Sequence, residues 1–118
     1  VIYGRFRSAH PRISIDLPSR EGPLIIEFIV DTGFEGDLAL PPDLVGMTLA
    51  TPSGYDSHAL ADGRIEHFET QEIDWAGDKR ITEVLVIGGE PLVGTRLLSD
   101  MHLHAEMVEG GDVSIEPL

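Results

Sequence analysis

The run Leu24-Ile25-Ile26-Glu27-Phe28-Ile29-Val30 is apolar at both odd and even positions, and Asp31-Thr32-Gly33 closes it at once. A short run of this kind, bounded by turn residues, predicts a strand covered on both faces and lying centrally in its sheet. Around it, short extended segments alternate with turn residues, and no long stretch repeats with the 3.6-residue period of a helix. The chain therefore reads as all-β, with at most one or two helical turns.

The remaining segments fit that frame. Ile13, Ile15 and Leu17 alternate with Ser14 and Asp16 as a half-buried strand should. Pro18-Ser19-Arg20-Glu21-Gly22-Pro23 reads as the hairpin loop into the central strand. Leu38-Ala39-Leu40 resumes an extended path, and Pro41-Pro42-Asp43-Leu44-Val45 is a helical turn opened by proline. Met47 to Thr51 and Tyr55 to Leu60 are predicted strands. Ala61-Asp62-Gly63 then supplies a hairpin tip, because Asp-Gly adopts the left-handed turn that joins twisted strands. Arg64 to Trp75 returns with one face in water, and Gly77-Asp78 turns into a buried strand over Ile81 to Ile87. Gly88-Gly89-Glu90-Pro91 breaks that strand ahead of Leu92-Val93-Gly94. Thr95 to Asp100 is the best helix candidate, and a hairpin of His102 to Val108 with Val113 to Glu116 ends the chain. An apolar strand leads into a special turn twice, at Asp31 and at Gly94, so the two halves read as related repeats.

With 118 residues the chain has room for one domain, 1–118, and for a core that needs no disulfide or metal. Its net charge of −13 argues against nucleic acid and against acidic membrane surfaces, both of which call for a basic patch. The absence of cysteine excludes thiolate nucleophiles and cysteine-based metal sites. No run reaches transmembrane length, and the first residues lack the apolar core of a signal peptide, so a cytoplasmic setting is expected. The chain begins at Val1, which fits a processed or trimmed N-terminus equally well.

Phe28-Ile29-Val30-Asp31-Thr32-Gly33, the Ala61-Asp62-Gly63 hairpin, and Leu92-Val93-Gly94-Thr95-Arg96-Leu97-Leu98 occur in the order and approximate spacing of the retropepsin-like aspartic proteases. From about Arg12 onward the chain resembles a bacterial-type single-domain member of that family. The resemblance implies a closed or partly open β-barrel of the retropepsin type with one short helix in the C-terminal half. It also implies a homodimer, since one Asp-Thr-Gly per chain supplies only half of a catalytic pair. By position, Asp31 is then the catalytic aspartate, Thr32 braces the opposite loop across the two-fold axis, and Gly33 presents a carbonyl to the substrate. Residues from about Tyr55 to Phe68, with Ala61, Asp62 and Gly63 at the tip, become a flap over bound peptide. Gly94 lets the following segment pack behind the Asp31 loop, with Leu97 and Leu98 supporting it. The first residues and Val113-Ser114-Ile115-Glu116 correspond to the terminal strands through which such dimers pair.

The chemistry so implied is peptide-bond hydrolysis without cofactor, metal or covalent intermediate. Two carboxylates in contact hold one proton between them and titrate as a unit. The ionised member activates water, and the protonated member hydrogen-bonds the scissile carbonyl. Activity is expected at acidic to near-neutral pH. The chain departs from the family pattern after the Asp-Thr-Gly, where Ala or Ser is usual and Phe34 stands instead. Phe34 is expected to crowd the cleft, to narrow side-chain preference, or to turn into the dimer interface. Glu35 and Asp37 are candidate contacts to the substrate backbone or to cationic side chains, with simple solvation as the alternative.

Other readings have less behind them. Asp31 as a turn aspartate that bonds its own loop is the structural alternative. His102 and His104 share a strand face ahead of Glu109, a spacing reminiscent of cupin metal sites, but Arg96 occupies the expected upstream glycine. His10, His58 and His67 lack ligand spacing, and Ser53, Ser57 and Ser99 lack a nucleophile elbow. From a different functional class comes a non-catalytic dimer of the same fold that binds peptides or proteins without cutting them.

Overall fold

Alternation of apolar and polar residues produces the hairpin on which the fold is built. In the computed structural model, which describes residues 1–59, 62–75 and 78–118, β2 (His10–Ser19) and β3 (Gly22–Val30) pair antiparallel from Arg12↔Ile29 to Ser19↔Gly22. The side chains of 58, 65–68, 72–75 and 78–80 lie outside that description. The loop expected over 18–23 is tighter than predicted. Pro18 and Pro23 are themselves paired, and only Arg20 and Glu21 turn the chain, with Gly22 at φ 101°. In β3 the C-terminal half meets the expectation of cover on both faces, since Phe28, Ile29 and Val30 are all buried, whereas Ile25 is exposed.

The other strands are β1 (Ile2–Arg7), β4 (Leu38–Leu40), β5 (Thr51–Ala59), β6 (Ile65–Trp75), β7 (Asp78–Val86), β8 (Leu92–Val93), β9 (Met101–Ala105) and β10 (Asp112–Pro117). The fold is all-β, a single ten-stranded sheet in the order β5-β6-β7-β4-β8-β3-β2-β1-β10-β9. It is open, with β5 and β9 as its edges. The middle of that order reads alike from either side. Hairpin β2–β3 is followed by β4, which pairs in parallel with β7, and hairpin β6–β7 is followed by β8, which pairs in parallel with β3. β4 and β8 meet antiparallel at Leu38↔Val93. The two strand-to-turn units noted in the sequence thus lie crosswise about a local two-fold relation.

Several expectations are corrected. The segment 95–100 forms turns and no helix: it carries one bond of helical spacing, from the Leu98 N–H to the Gly94 carbonyl (3.3 Å), and Asp100 ends it at φ 64°. Among the described residues the helix is α1 (Pro42–Met47), in the N-terminal half, where a single turn was predicted. It is far too short to cross a membrane. Met47 ends this helix and Thr48 bridges to Ser19, so the strand expected over 47–51 is absent and β5 begins at Thr51. The terminal strands pair within the chain, Ile2↔Ile115 to Arg5↔Asp112. β1 has β2 and β10 on its two sides, and β10 has β1 and β9, which leaves neither an edge for a partner.

One core gathers buried side chains from the sheet's inner face: Ile13, Ile15 and Leu17 of β2, Ile26, Phe28 and Val30 of β3, Leu38 and Leu40 of β4, Val45 of α1, Val84 of β7, Val93 of β8, Leu97, and Val113 and Ile115 of β10. Burying each such side chain contributes about 1.5–3 kcal/mol. The short strands β4 and β8 place Leu38, Leu40 and Val93 in this core, and they fix the loops that follow β3 and β7.

Candidate functional site

β3 carries Asp31 out of the core and into a turn with little freedom. The Asp31 N–H donates to the Val93 carbonyl (3.0 Å), so the residue is still held by β8. The Phe34 N–H returns to the Asp31 carbonyl (3.1 Å), and the Gly33 N–H donates to Asp31 Oδ1 (2.9 Å). One carboxylate oxygen is therefore engaged by its own turn, as an aspartate at a strand end commonly is. Asp31 is half-buried, and Thr32 and Gly33 are exposed.

The rest of the loop is tied to the segment after β8. Gly94 N–H donates to the Asp37 carbonyl (2.9 Å), Thr95 N–H to the Phe34 carbonyl (2.8 Å) and Arg96 N–H to the Gly36 carbonyl (3.2 Å). Thr95 Oγ1 adds a longer bond to the same Phe34 carbonyl (3.3 Å). Backbone meets backbone here, which is why residue 94 is glycine: a Cβ at that position would lie 2.2 Å from the Gly36 carbonyl oxygen and 2.6 Å from that of Phe34. Leu97, buried, anchors the strap in the core, and Leu98 packs half-buried against it. The placement of Gly94, Leu97 and Leu98 behind the Asp31 loop is reached without the intervening helix.

Phe34 follows a course of its own. Its ring covers Gly36 and Gly94, close enough that a Cβ on Gly36 would come within 2.5 Å of Cζ. The ring is thus folded back over its own loop. It does not line the hollow beside Asp31, which is formed by His10, Ile29 to Thr32, Ile87 to Glu90, and Leu92, and measures about 460 Å³. A larger hollow of about 730 Å³ runs along Val1 to Tyr3 and β2 and shares no lining residue with it.

His10 and Glu90 escaped the sequence reading. Gly88-Gly89-Glu90 carried only a turn signal, and nothing in its spacing pointed to Asp31. Glu90 is steered by Arg12, a buried cation that donates through Nη1 to Glu90 Oε1 (3.1 Å) and through Nε to the Arg7 carbonyl (2.8 Å). Glu27 faces the same guanidinium at 3.7 Å and also pairs with Arg7. A nearly buried arginine requires such partners, because an unpaired charge there is costly.

The acidic residues beyond the turn separate into different environments. Glu35 is exposed. Asp37 is buried, with its Oδ2 accepting the Glu83 N–H (3.1 Å) and the Arg96 Nε at 4.0 Å from Oδ1, so it braces β7 against the loop. Glu83 titrates above its ordinary value, first because burial disfavours its charge, then because Asp56 and Asp37 are nearby, with Arg96 opposing. Asp56 of β5 also hydrogen-bonds the Glu83 carboxyl. Of the proposed flap tip, Ala61 lies outside the described residues, while Asp62 and Gly63 are exposed and stand apart from the Asp31 hollow. Asp62 is held below its usual range by the Arg64 N–H and then by its guanidinium.

Among the described residues, no three or more histidine, aspartate or glutamate side chains come together as metal ligands. The arrangement consists of one positioned carboxylate at the mouth of a hollow, with a second carboxylate and an imidazole on its wall. No protein-family model, curated protein or solved structure matches the chain, so the geometry and the motifs carry the functional reading.

Proposed function

We propose that the chain is an aspartic endopeptidase of the retropepsin-like type, active as a homodimer in which each subunit contributes one Asp31. The observation that carries this reading is the fixing of the Asp31 loop: backbone bonds to Val93, Gly94, Thr95 and Arg96 hold a half-buried carboxylate at the edge of a hollow. Catalysis by a carboxylate pair depends on such positioning, since the pair works through geometry and a shared proton, activates a water, and needs no covalent enzyme nucleophile. In the dimer one Asp31 is ionised and takes a proton from water, which attacks the scissile carbonyl. The other, protonated, hydrogen-bonds that carbonyl and passes its proton toward the leaving amine. Thr32 braces the facing loop, Gly33 and Glu35 meet the substrate chain, and the β5–β6 hairpin closes over it with Asp62 and Gly63 near its tip. A cytoplasmic setting belongs to the same proposal.

The second reading, a dimeric module that binds peptide without cutting it, is favoured by one observation. Asp31 Oδ1 already accepts the Gly33 N–H, the bond of a structural turn aspartate. The two readings part in a cleavage assay on unfolded casein and a peptide library between about pH 3.5 and 7.5. The protease reading expects cleavage by the native chain and its loss in Asp31→Asn. Equal activity in both forms overturns it. Peptide binding by both forms, with cleavage by neither, establishes the binding module instead.

A further inference from the structure

The hollow beside Asp31 combines hydrocarbon with two carboxylates. Buried Ile29 and Val30 and half-buried Ile87 and Leu92 line it with apolar surface, and Asp31 and Glu90 bring their carboxylates to it. Gly88 and Gly89, which join Ile87 to Glu90, add no side chain to the wall. At about 460 Å³ the hollow falls within the range of small-ligand pockets and has room for a long side chain.

Glu90 is exposed, yet one of its oxygens is held in place. Its Oε1 accepts the Arg12 Nη1–H (3.1 Å), whereas Oε2 accepts no hydrogen bond among the described residues and stays open as an acceptor. Arg12 is not part of the lining. Its Nε donates to the Arg7 carbonyl (2.8 Å), its Nη1 faces Glu27 (3.7 Å) as well as Glu90, and its side chain is buried. Arg7 and Arg12 together balance Glu27 and Glu90, so with His10 neutral the charge left at the hollow is that of Asp31. The net charge of −13 acts in the same sense over longer distances and draws cations.

We propose that this hollow takes a cationic side chain of the substrate, lysine or arginine, and that Glu90 sets the preference. The inference rests on the proposal that a bound peptide lies against the Asp31 loop. The methylene stem covers Ile87 and Leu92 while the charged head stays at the rim, as long cationic side chains do on apolar surfaces. Glu90 Oε2 then accepts a charge-assisted hydrogen bond from the head, stronger than a bond between neutral groups. An uncharged stem of the same length gains the apolar contact without that bond, and an acidic side chain meets two carboxylates of its own sign.

The test is a positional library of blocked octapeptides in which lysine, arginine, norleucine or glutamate is fixed at one position and the others are mixed. Norleucine reproduces the lysine stem without its charge. The native chain and Glu90→Gln are assayed at the highest pH between about 3.5 and 7.5 at which the chain cleaves. At one position beside the scissile bond, lysine and arginine are expected to exceed norleucine at least about tenfold in kcat/KM, and Glu90→Gln to bring that ratio within about twofold of unity. Glu27 still faces Arg12 in the variant, and urea denaturation checks its fold. Cleavage without a cationic preference, a preference for glutamate, or a cationic preference that Glu90→Gln leaves intact overturns the subsite and leaves the protease standing. If the native chain cleaves none of the peptides, their binding is measured by fluorescence anisotropy. Tighter binding of the lysine peptides that Glu90→Gln abolishes then supports the subsite while overturning the endopeptidase, and its absence overturns both.

Discussion

Two glycines and a phenylalanine decide the shape of the Asp31 loop. Gly94 admits the backbone of Gly36 and Phe34 at distances no side chain allows, whereas Gly36 is confined mainly by the Phe34 ring. Their substitutions should behave differently. Gly94→Ala is expected to cost about 3 kcal/mol or more in urea denaturation, because the obstructing atoms are carbonyl oxygens fixed by hydrogen bonds. Gly36→Ala is expected to cost about 1–3 kcal/mol, and Phe34→Ala in the same chain should return part of it. The same second change should not rescue Gly94→Ala. At this scale the sequence was informative about Asp31, since a strand ending in Asp-Thr-Gly announces both a turn and an accessible carboxylate. It was uninformative about Glu90 and His10, which reach the hollow through chain connections that leave no local pattern.

Hairpin β5–β6 and strand β7 are joined at a carboxyl pair, Asp56 with Glu83, backed by Asp37 and Arg96. Glu83 titrates above its ordinary 4.5 in the folded chain, so the folded state holds a proton there that the unfolded chain releases. The stabilisation is complete below pH 4.5 and is lost as pH rises through the folded value. Glu83→Gln keeps a hydrogen-bonding group without the charge. It is expected to raise stability at neutral pH by a small amount, since the site is largely open to solvent, and to flatten the slope above pH 4.5 in denaturation curves taken across pH. Asp62, lowered by Arg64, acts in the opposite sense, with its contribution present above its unfolded value and lost on acidification. The elements themselves were largely legible where alternation or Asp-Gly chemistry was strong, as in β2, β3 and the β5–β6 hairpin. Thr95 to Asp100 misled because its composition suits a helix, yet the segment turns back at Asp100, whose φ of 64° stops it within two turns. Met47 to Thr51 misled in the converse way, with a proline-started helix running on to Met47.

At the level of the whole molecule, the charge of −13 is spread over an open sheet whose inner face holds one apolar core. Self-repulsion then opposes compactness, and salt should relieve it. Raising ionic strength to about 0.5 M is expected to increase the melting temperature by a few degrees, and an unchanged or lower value counts against a dominant repulsion. All-β character was readable from short segments alone. The strand order was not, because pairing across long sequence separations depends on tertiary packing. In particular, β1 lies between β2 and β10 and so joins segments far apart in sequence. Ile2 meets its partner Ile115 only after all the residues between them have been made. During synthesis β1 has β2 to pair with and must wait for β10 with one side open. Closing that gap is a late, long-range step, of the kind that slows folding and leaves a strand edge available to chaperones or to aggregation in the interval.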